Sequence, residues 1–324
     1  MPIRAIRSEH NPIITPEMDD RIGGNINGPS LTRVPDWVDN PLGRYYLYFA
    51  HHQGKFIRMA YADHLLGPYT VYHPGVLEMS DTLFEKHIAS PDVHIDHEAK
   101  KIKLFYHGSG FTGPKPDDLN QNTCYAESND GLHFVTEHIC LGPSYMRVIQ
   151  WNGWYYGFGG GSARDLWRTR NVHELFEQGP KLNIEREDYT DSETITRENK
   201  KDPNFPIYRM RHPGLHLRNH ELEIYYSNVG DTPERIKCTT VDLRPDWTKW
   251  RGSAPEEILH TKKEYEGSDL PNVPSDGGSS HVRVHQVRDP YIFIEEESKY
   301  LICSVAGETG LGIVELKTCK TAVK

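Results

Sequence analysis

One unit recurs five times along this chain, and that repetition constrains the fold more than any other feature. Each copy is a short segment ending near proline or an aromatic, an aromatic-rich strand, and a second strand that closes on an apolar residue. In the first copy Gly28-Pro-Ser-Leu-Thr-Arg-Val34 precedes Arg44-Tyr-Tyr-Leu-Tyr-Phe-Ala-His51 and Ile57-Arg-Met-Ala-Tyr-Ala62. In the second, Ser90-Pro-Asp-Val-His-Ile95 precedes Lys101-Ile-Lys-Leu-Phe-Tyr-His107. The third turns at Asn152-Gly153, a strong hairpin signal, between Tyr145-Met-Arg-Val-Ile-Gln150 and Trp154-Tyr-Tyr-Gly-Phe158. The fourth pairs His212-Pro-Gly-Leu-His-Leu217 with Leu222-Glu-Ile-Tyr-Tyr-Ser227, and the fifth pairs Asp289-Pro-Tyr-Ile-Phe-Ile294 with Tyr300-Leu-Ile-Cys-Ser-Val305. Alternating strands bounded by Gly, Pro, Asn and Asp fill the chain, and no comparable helical periodicity appears.

An all-β, five-bladed β-propeller follows, as a single domain over residues 1–324 with blades near 24–80, 81–140, 141–183, 205–263 and 281–317. Asn11-Pro-Ile-Ile-Thr15 precedes the first full unit and is expected to close the ring by completing the last blade. Residues 184–204 and 264–280 read as loops over one face, one of them a lid. The composition agrees: 36% apolar residues, 18 Tyr and 6 Trp suit short strands and sugar stacking better than a helical bundle. A net charge of −9 without a basic stripe argues against nucleic acid as a partner. No apolar run reaches the length of a membrane span, and Met1-Pro-Ile-Arg-Ala-Ile-Arg-Ser-Glu-His10 has no secretory apolar core, so a cytoplasmic location is expected. Five Cys without C-x-x-C spacing indicate neither a disulfide framework nor a structural zinc.

In a propeller the innermost strands line the axis, so their starts converge on one pocket. Here these are Asn27-Gly-Pro-Ser30, Ser90-Pro-Asp92, Tyr145-Met-Arg147, Arg211-His-Pro213 and Arg288-Asp-Pro290. With the repeat pattern, these starts resemble glycoside hydrolase family 43 and its five-bladed relatives, including family 117, over nearly the whole chain. The chain is identified as a divergent member. In family 43 a blade-one Asp is the general base, a blade-two Asp tunes it, and a blade-three Glu-Gly-Pro supplies the general acid. Asp92 carries over as the second; Asn27 stands where the first belongs, and Tyr145 and Arg147 where the third belongs. Three readings stay open: the acid and base sit on other blades, the family is a divergent one, or the pocket binds without cleaving.

Glycosyl transfer needs two acidic groups facing one cavity. Asp92 and Asp289, at inner-strand starts, form the first candidate pair, and Glu308 in Gly307-Glu-Thr-Gly310 is the next carboxylate, with Glu234 in the matching position of blade four. Each has a structural alternative, as a strand-start cap or an arginine partner. The family 117 resemblance allows a histidine general acid at His107, His212 or His285. Arg147, Arg211 and Arg288 begin three inner strands, either pairing with those carboxylates or holding an acidic sugar. Asn27, Tyr145, His212, Glu234 and His285 complete the expected substrate-binding set. No cofactor is required, although the resemblance implies an axial divalent ion whose ligands the sequence does not identify. The expected function is a glycoside hydrolase or related carbohydrate-active enzyme acting on an oligosaccharide, an acidic one included, in an axial pocket. The alternatives are a non-catalytic sugar-binding propeller and a metal-dependent polysaccharide lyase.

Overall fold

The computed structural model describes residues 3–160, 163–190 and 207–318. Among the described residues five blades stand in a ring, antiparallel apart from one short parallel pair in blade four, each with its first strand on the axis: Asn27–Arg33, Phe84–Asp96, Arg147–Trp151, Gly214–Arg218 and Val287–Glu295. Why these sequences form such blades is visible in Tyr45–Ala50, whose six residues are all buried. A strand points successive side chains to opposite faces. Tyr46 and Tyr48 therefore enter the apolar cluster shared with blade two, while Tyr45, Leu47 and Phe49 enter the one shared with blade five. Leu222, Ile224 and Tyr226 likewise face blade three, and Tyr225 faces blade five. Phe105 and Tyr125 meet Met146 and Trp167 between blades two and three. Among the described residues the five blades thus bury five inter-blade cores. Strands buried on both faces read as continuous apolar runs, which is why Tyr-Tyr-Leu-Tyr-Phe was so conspicuous a signal.

The turn at Asn152-Gly153 forms as expected, with both residues at positive φ (48° and 73°) and Trp151 paired with Trp154. The closing strand differs from expectation. Ile3–Arg7, not residues 11–15, pairs along Leu311–Thr318 as the outer strand of blade five. Residues 11–15 contribute one bridge, Ile14 to Leu311, and the Ile13 amide donates to the Leu311 carbonyl at 2.8 Å. Of the two expected loops, 264–280 is irregular apart from a 3-10 turn at Glu264–Glu266. In the other, Asn183–Ile184 is a short strand running parallel to Arg251–Gly252, and residues 191–206 lie outside those described. Among the described residues, no helix is long and apolar enough to cross a membrane.

Candidate functional site

A shared backbone device aims residues at the axis. Register shifts interrupt three inner strands, between Asn27 and Ser30, Ala89 and Asp92, and Arg288 and Tyr291. Each shift contains a residue in the left-handed region followed by proline: Gly28 (φ 58°), Ser90 (49°) and Asp289 (53°). Tyr145 (59°) holds the same place in blade three, and Pro213 marks His212 as the blade-four equivalent. Non-glycine residues adopt this region at a cost that functional sites commonly bear. The blade-one counterpart of Asp289 is therefore Gly28 rather than Asn27. A Cβ on Gly28 would lie 3.1 Å from the Ser90 Cα, so an acid there would be strained by its positive φ and would have to shift the blade-two backbone.

The residues that follow form a separate layer. The Arg147 guanidinium bonds the Asp92 carboxylate at 3.4 Å and the carbonyls of Pro91 and Pro29, the latter at 3.3 Å. Asp92 also accepts from the Val148 amide at 2.9 Å and contacts His94 Nε2 at 3.0 Å. Burial pushes its carboxyl up, but His94, Arg147 and the Val148 amide outweigh this and hold it low. Arg147 ties the inner strands of blades one, two and three together. Asp92 is accordingly reassigned as its buried counter-ion.

Above that layer the Tyr145 ring lies between two imidazoles, 3.8 Å from His212 in a stacked arrangement and 3.7 Å from His107. His212 Nδ1 stands 3.2 Å from Asp289 Oδ1, and Ser304 Oγ is 3.4 Å from Asp289 Oδ2. Asp289 is 2% exposed. Burial pushes its carboxyl up, yet His212 first, then Arg288 and Arg211, hold it well below the usual carboxylate range. An ionised carboxylate beside Nδ1 places the imidazole proton on that nitrogen. Burial, with Asp289 and Glu308, raises the Tyr145 phenol, which stays protonated and able to donate. His107 is 1% exposed, and neither ring nitrogen meets a hydrogen-bond partner among the described residues. Burial, then the neighbouring His87, His212 and His52, hold it neutral.

Tyr145 and His212 line a cavity of about 580 Å³, together with His52, Asp165, Trp167 and Gly278. The sequence pointed to neither His52 nor Asp165. His52 follows the last strand residues of a Tyr-rich run, and Asp165 follows the glycine run Gly159-Gly-Gly161, which is where a side chain can open onto a cavity. Burial raises the Asp165 carboxyl against the pull of Lys181 and Arg164. The cavity is thus lined by Asp165, whose carboxyl is biased toward its protonated form, and by His212, which stands against the ionised Asp289. A larger groove of about 780 Å³, lined by residues such as Pro12, Lys263 and Val282, has none of these axial groups.

Several expected site residues also hold structural partners, among them Arg211, which lines the cavity. Glu308 accepts from Arg288 at 3.1 Å and from the side-chain amides of Asn25 and Asn27, with His52 Nδ1 3.8 Å away. Asn27 is therefore a support for Glu308. Glu234 accepts from Arg211 Nε at 2.7 Å and Ser227 Oγ at 2.6 Å, repeating in blade four the arginine–glutamate pair of blade five. Arg147, Arg211 and Arg288 spend donors on protein carboxylates and carbonyls, as buried guanidiniums must. His285 contacts the Leu270 carbonyl at 3.1 Å and does not line the cavity. Among the described residues the three-donor metal-type cluster is Asp19, Asp20 and His73, near the surface. The described axial groups do not form such a three-donor set.

No known family profile matches the sequence. The structure is similar to a β-xylosidase (TM-score 0.58, 16% identity, covering 93% of this chain and 94% of that one). It is also similar to a family 43 β-xylosidase/α-arabinofuranosidase from a compost microbial metagenome, in complex with xylotriose (0.59, 14%, covering 99% and 96%). A third is an endo-1,4-β-xylanase from Bacteroides thetaiotaomicron (0.57, 13%, covering 91% and 95%). At these identities the likeness establishes the five-bladed fold. In sequence the chain is 32% identical over 314 residues to an uncharacterized protein of Acanthamoeba polyphaga mimivirus, covering 91% of this chain and 84% of the relative. At that identity and coverage, the chain belongs to the same protein family as the mimivirus protein.

Proposed function

We propose that the axial cavity is the active centre of a glycoside hydrolase, or a related carbohydrate-active enzyme, acting on an oligosaccharide of neutral sugars. The observation that carries this reading is the buried Asp289–His212 pair against Tyr145 at the edge of the cavity, 3.2 Å apart and not aligned as a hydrogen bond. Catalytic contacts often tighten only when substrate is bound. The fold is one on which glycosidases occur, and its neighbours' names supply xylosides and arabinofuranosides as first substrates to try.

The chemistry follows from opposed environments. Asp165, biased toward its protonated form, donates its proton to the glycosidic oxygen as the bond to the anomeric carbon breaks. Water attacks that carbon and yields its proton to His212, whose imidazolium is stabilised by ionised Asp289. Tyr145 holds the imidazole plane by stacking and offers its phenol to a sugar hydroxyl. The family 117 resemblance allows a histidine general acid; in this reading His212 is the base and Asp165 the acid. The acidic-sugar reading loses its main support, since the three arginines that motivated it already hold protein acceptors. Among the described residues the lyase reading finds no three-donor axial set to support it.

A panel of aryl glycosides beginning with the β-xyloside and α-arabinofuranoside tests the proposal. Hydrolysis of at least one, with turnover falling roughly 10²–10⁴-fold in Asp289→Asn, is expected for lost general acid–base assistance. Saccharide binding by calorimetry without any turnover favours the alternative of a sugar-binding propeller, which Gly28 in the blade-one acid position supports.

A further inference from the structure

The cavity is not confined to the axis. Tyr145, Arg211 and His212 form its axial end, while Gln121, Trp167 and Gln178 line the part that lies across blades two and three. Gln121 begins the third strand of blade two (Gln121–Ser128), Trp167 lies on the third strand of blade three (Asp165–Thr169), and Gln178 lies on the fourth (Glu177–Lys181). Gln178 is exposed, so this outer end meets solvent.

Two polar groups of that outer part, Trp167 Nε1 and Gln121 Oε1, are buried and have no hydrogen-bond partner among the described residues. Trp167 is 5% exposed and packs with Phe105, Met146 and Phe176. An unanswered N–H at that burial costs stability, and a phenylalanine ring would join the same apolar cluster without it. Among the described residues, neither the groove of Pro12 and Lys263 nor a third cavity, of about 490 Å³ and lined by His94, Lys103 and Tyr155, has such a group on its wall. Asp165 and Trp167 share one face of their strand, about 7 Å apart along it. A saccharide whose linking oxygen meets Asp165 therefore brings its next ring toward Trp167.

We propose that the sugar on the leaving-group side of the scissile bond lies across the junction of blades two and three, accepting a hydrogen bond from Trp167 Nε1 and donating a hydroxyl to Gln121 Oε1. This rests on the carbohydrate reading of the cavity. A hydroxyl both donates and accepts, so a polyol ring answers both groups, whereas a phenyl leaving group answers neither. Trp167 and Gln121 thereby set which leaving groups the site prefers.

Kinetics on the full chain with two substrates of whichever sugar the aryl glycoside panel identifies, its phenyl glycoside and its disaccharide, test this. In Trp167→Phe, kcat/KM for the disaccharide relative to the phenyl glycoside should fall at least tenfold, and Gln121→Leu should move the ratio in the same direction. An equal loss on both substrates, as loosened packing would give, or an unchanged ratio overturns the proposal. The bond itself is read from the indole N–H resonance that disappears in Trp167→Phe. That resonance should shift downfield when the disaccharide is added to Asp289→Asn, and no shift overturns the bond. If no glycoside turns over, the hydrolase reading falls, and calorimetry with the disaccharide decides the subsite separately. Affinity at least tenfold lower in Trp167→Phe than in the unaltered chain supports it; equal affinity, or no binding to either, overturns it.

Discussion

Gly28, Ser90, Tyr145 and Asp289 share one left-handed position, with His212 before Pro213 in blade four, and these side chains decide what each blade gives the axis. Gly28→Asp would restore an acid to blade one only by forcing a side chain into positive φ and against the Ser90 backbone. A loss of about 1–3 kcal/mol is expected, read as a lower Tm by calorimetry, with no gain in hydrolysis. Asp165 gives a test with a definite sign. Its folded-state pKa is raised by burial, so its contribution favours the native state below the unfolded carboxyl range and is lost as pH rises through the raised value. Asp165→Asn should therefore raise Tm at neutral pH and leave it unchanged in acid, while removing turnover. Asp289 runs the other way. Held low, it stabilises above the unfolded carboxyl range, and that contribution fades as pH falls through its depressed value, so Asp289→Asn should lose its Tm penalty in strong acid. Residue types alone could not separate Asp92 from Asp289. Both flank a proline, but Asp289 precedes Pro290 and sits on the bulge, whereas Asp92 follows Pro91 and drops into the Arg147 layer.

At the level of elements, strands buried on both faces were legible and the closing strand was not. In Ile3–Arg7 the burial alternates, but Ile6 faces solvent while Arg7 faces inward onto buried Glu266, at 2.6 Å. The apolar pattern is therefore broken at both positions, and no reading by hydrophobic alternation recovers it. Deleting residues 1–9 should expose the edge of Leu311–Thr318 and remove the Arg7–Glu266 contact. A clear drop in Tm with concentration-dependent aggregation by light scattering is expected, since an open strand edge templates further pairing. A full-length Arg7→Ala variant should lose stability without aggregating, which separates the ion pair from the edge.

For the whole molecule, five inter-blade cores close a ring and bring parts of the chain that are distant in sequence to one axis. That convergence is what the sequence could state only as a list of strand starts. It named Asp289, His212, Tyr145 and His107, which the structure brings together, and did not name His52 and Asp165, which reach the cavity from strand ends outside the inner strands. The account stands on the cavity being where a saccharide sits. A crystal structure of Asp289→Asn soaked with an oligosaccharide of the sugar it binds tests this most directly. The account predicts a sugar ring in the cavity beside Tyr145 and His212, its glycosidic oxygen within hydrogen-bond reach of Asp165. A saccharide seated instead in the groove of Pro12 and Lys263, with the axial cavity free of sugar, would contradict it.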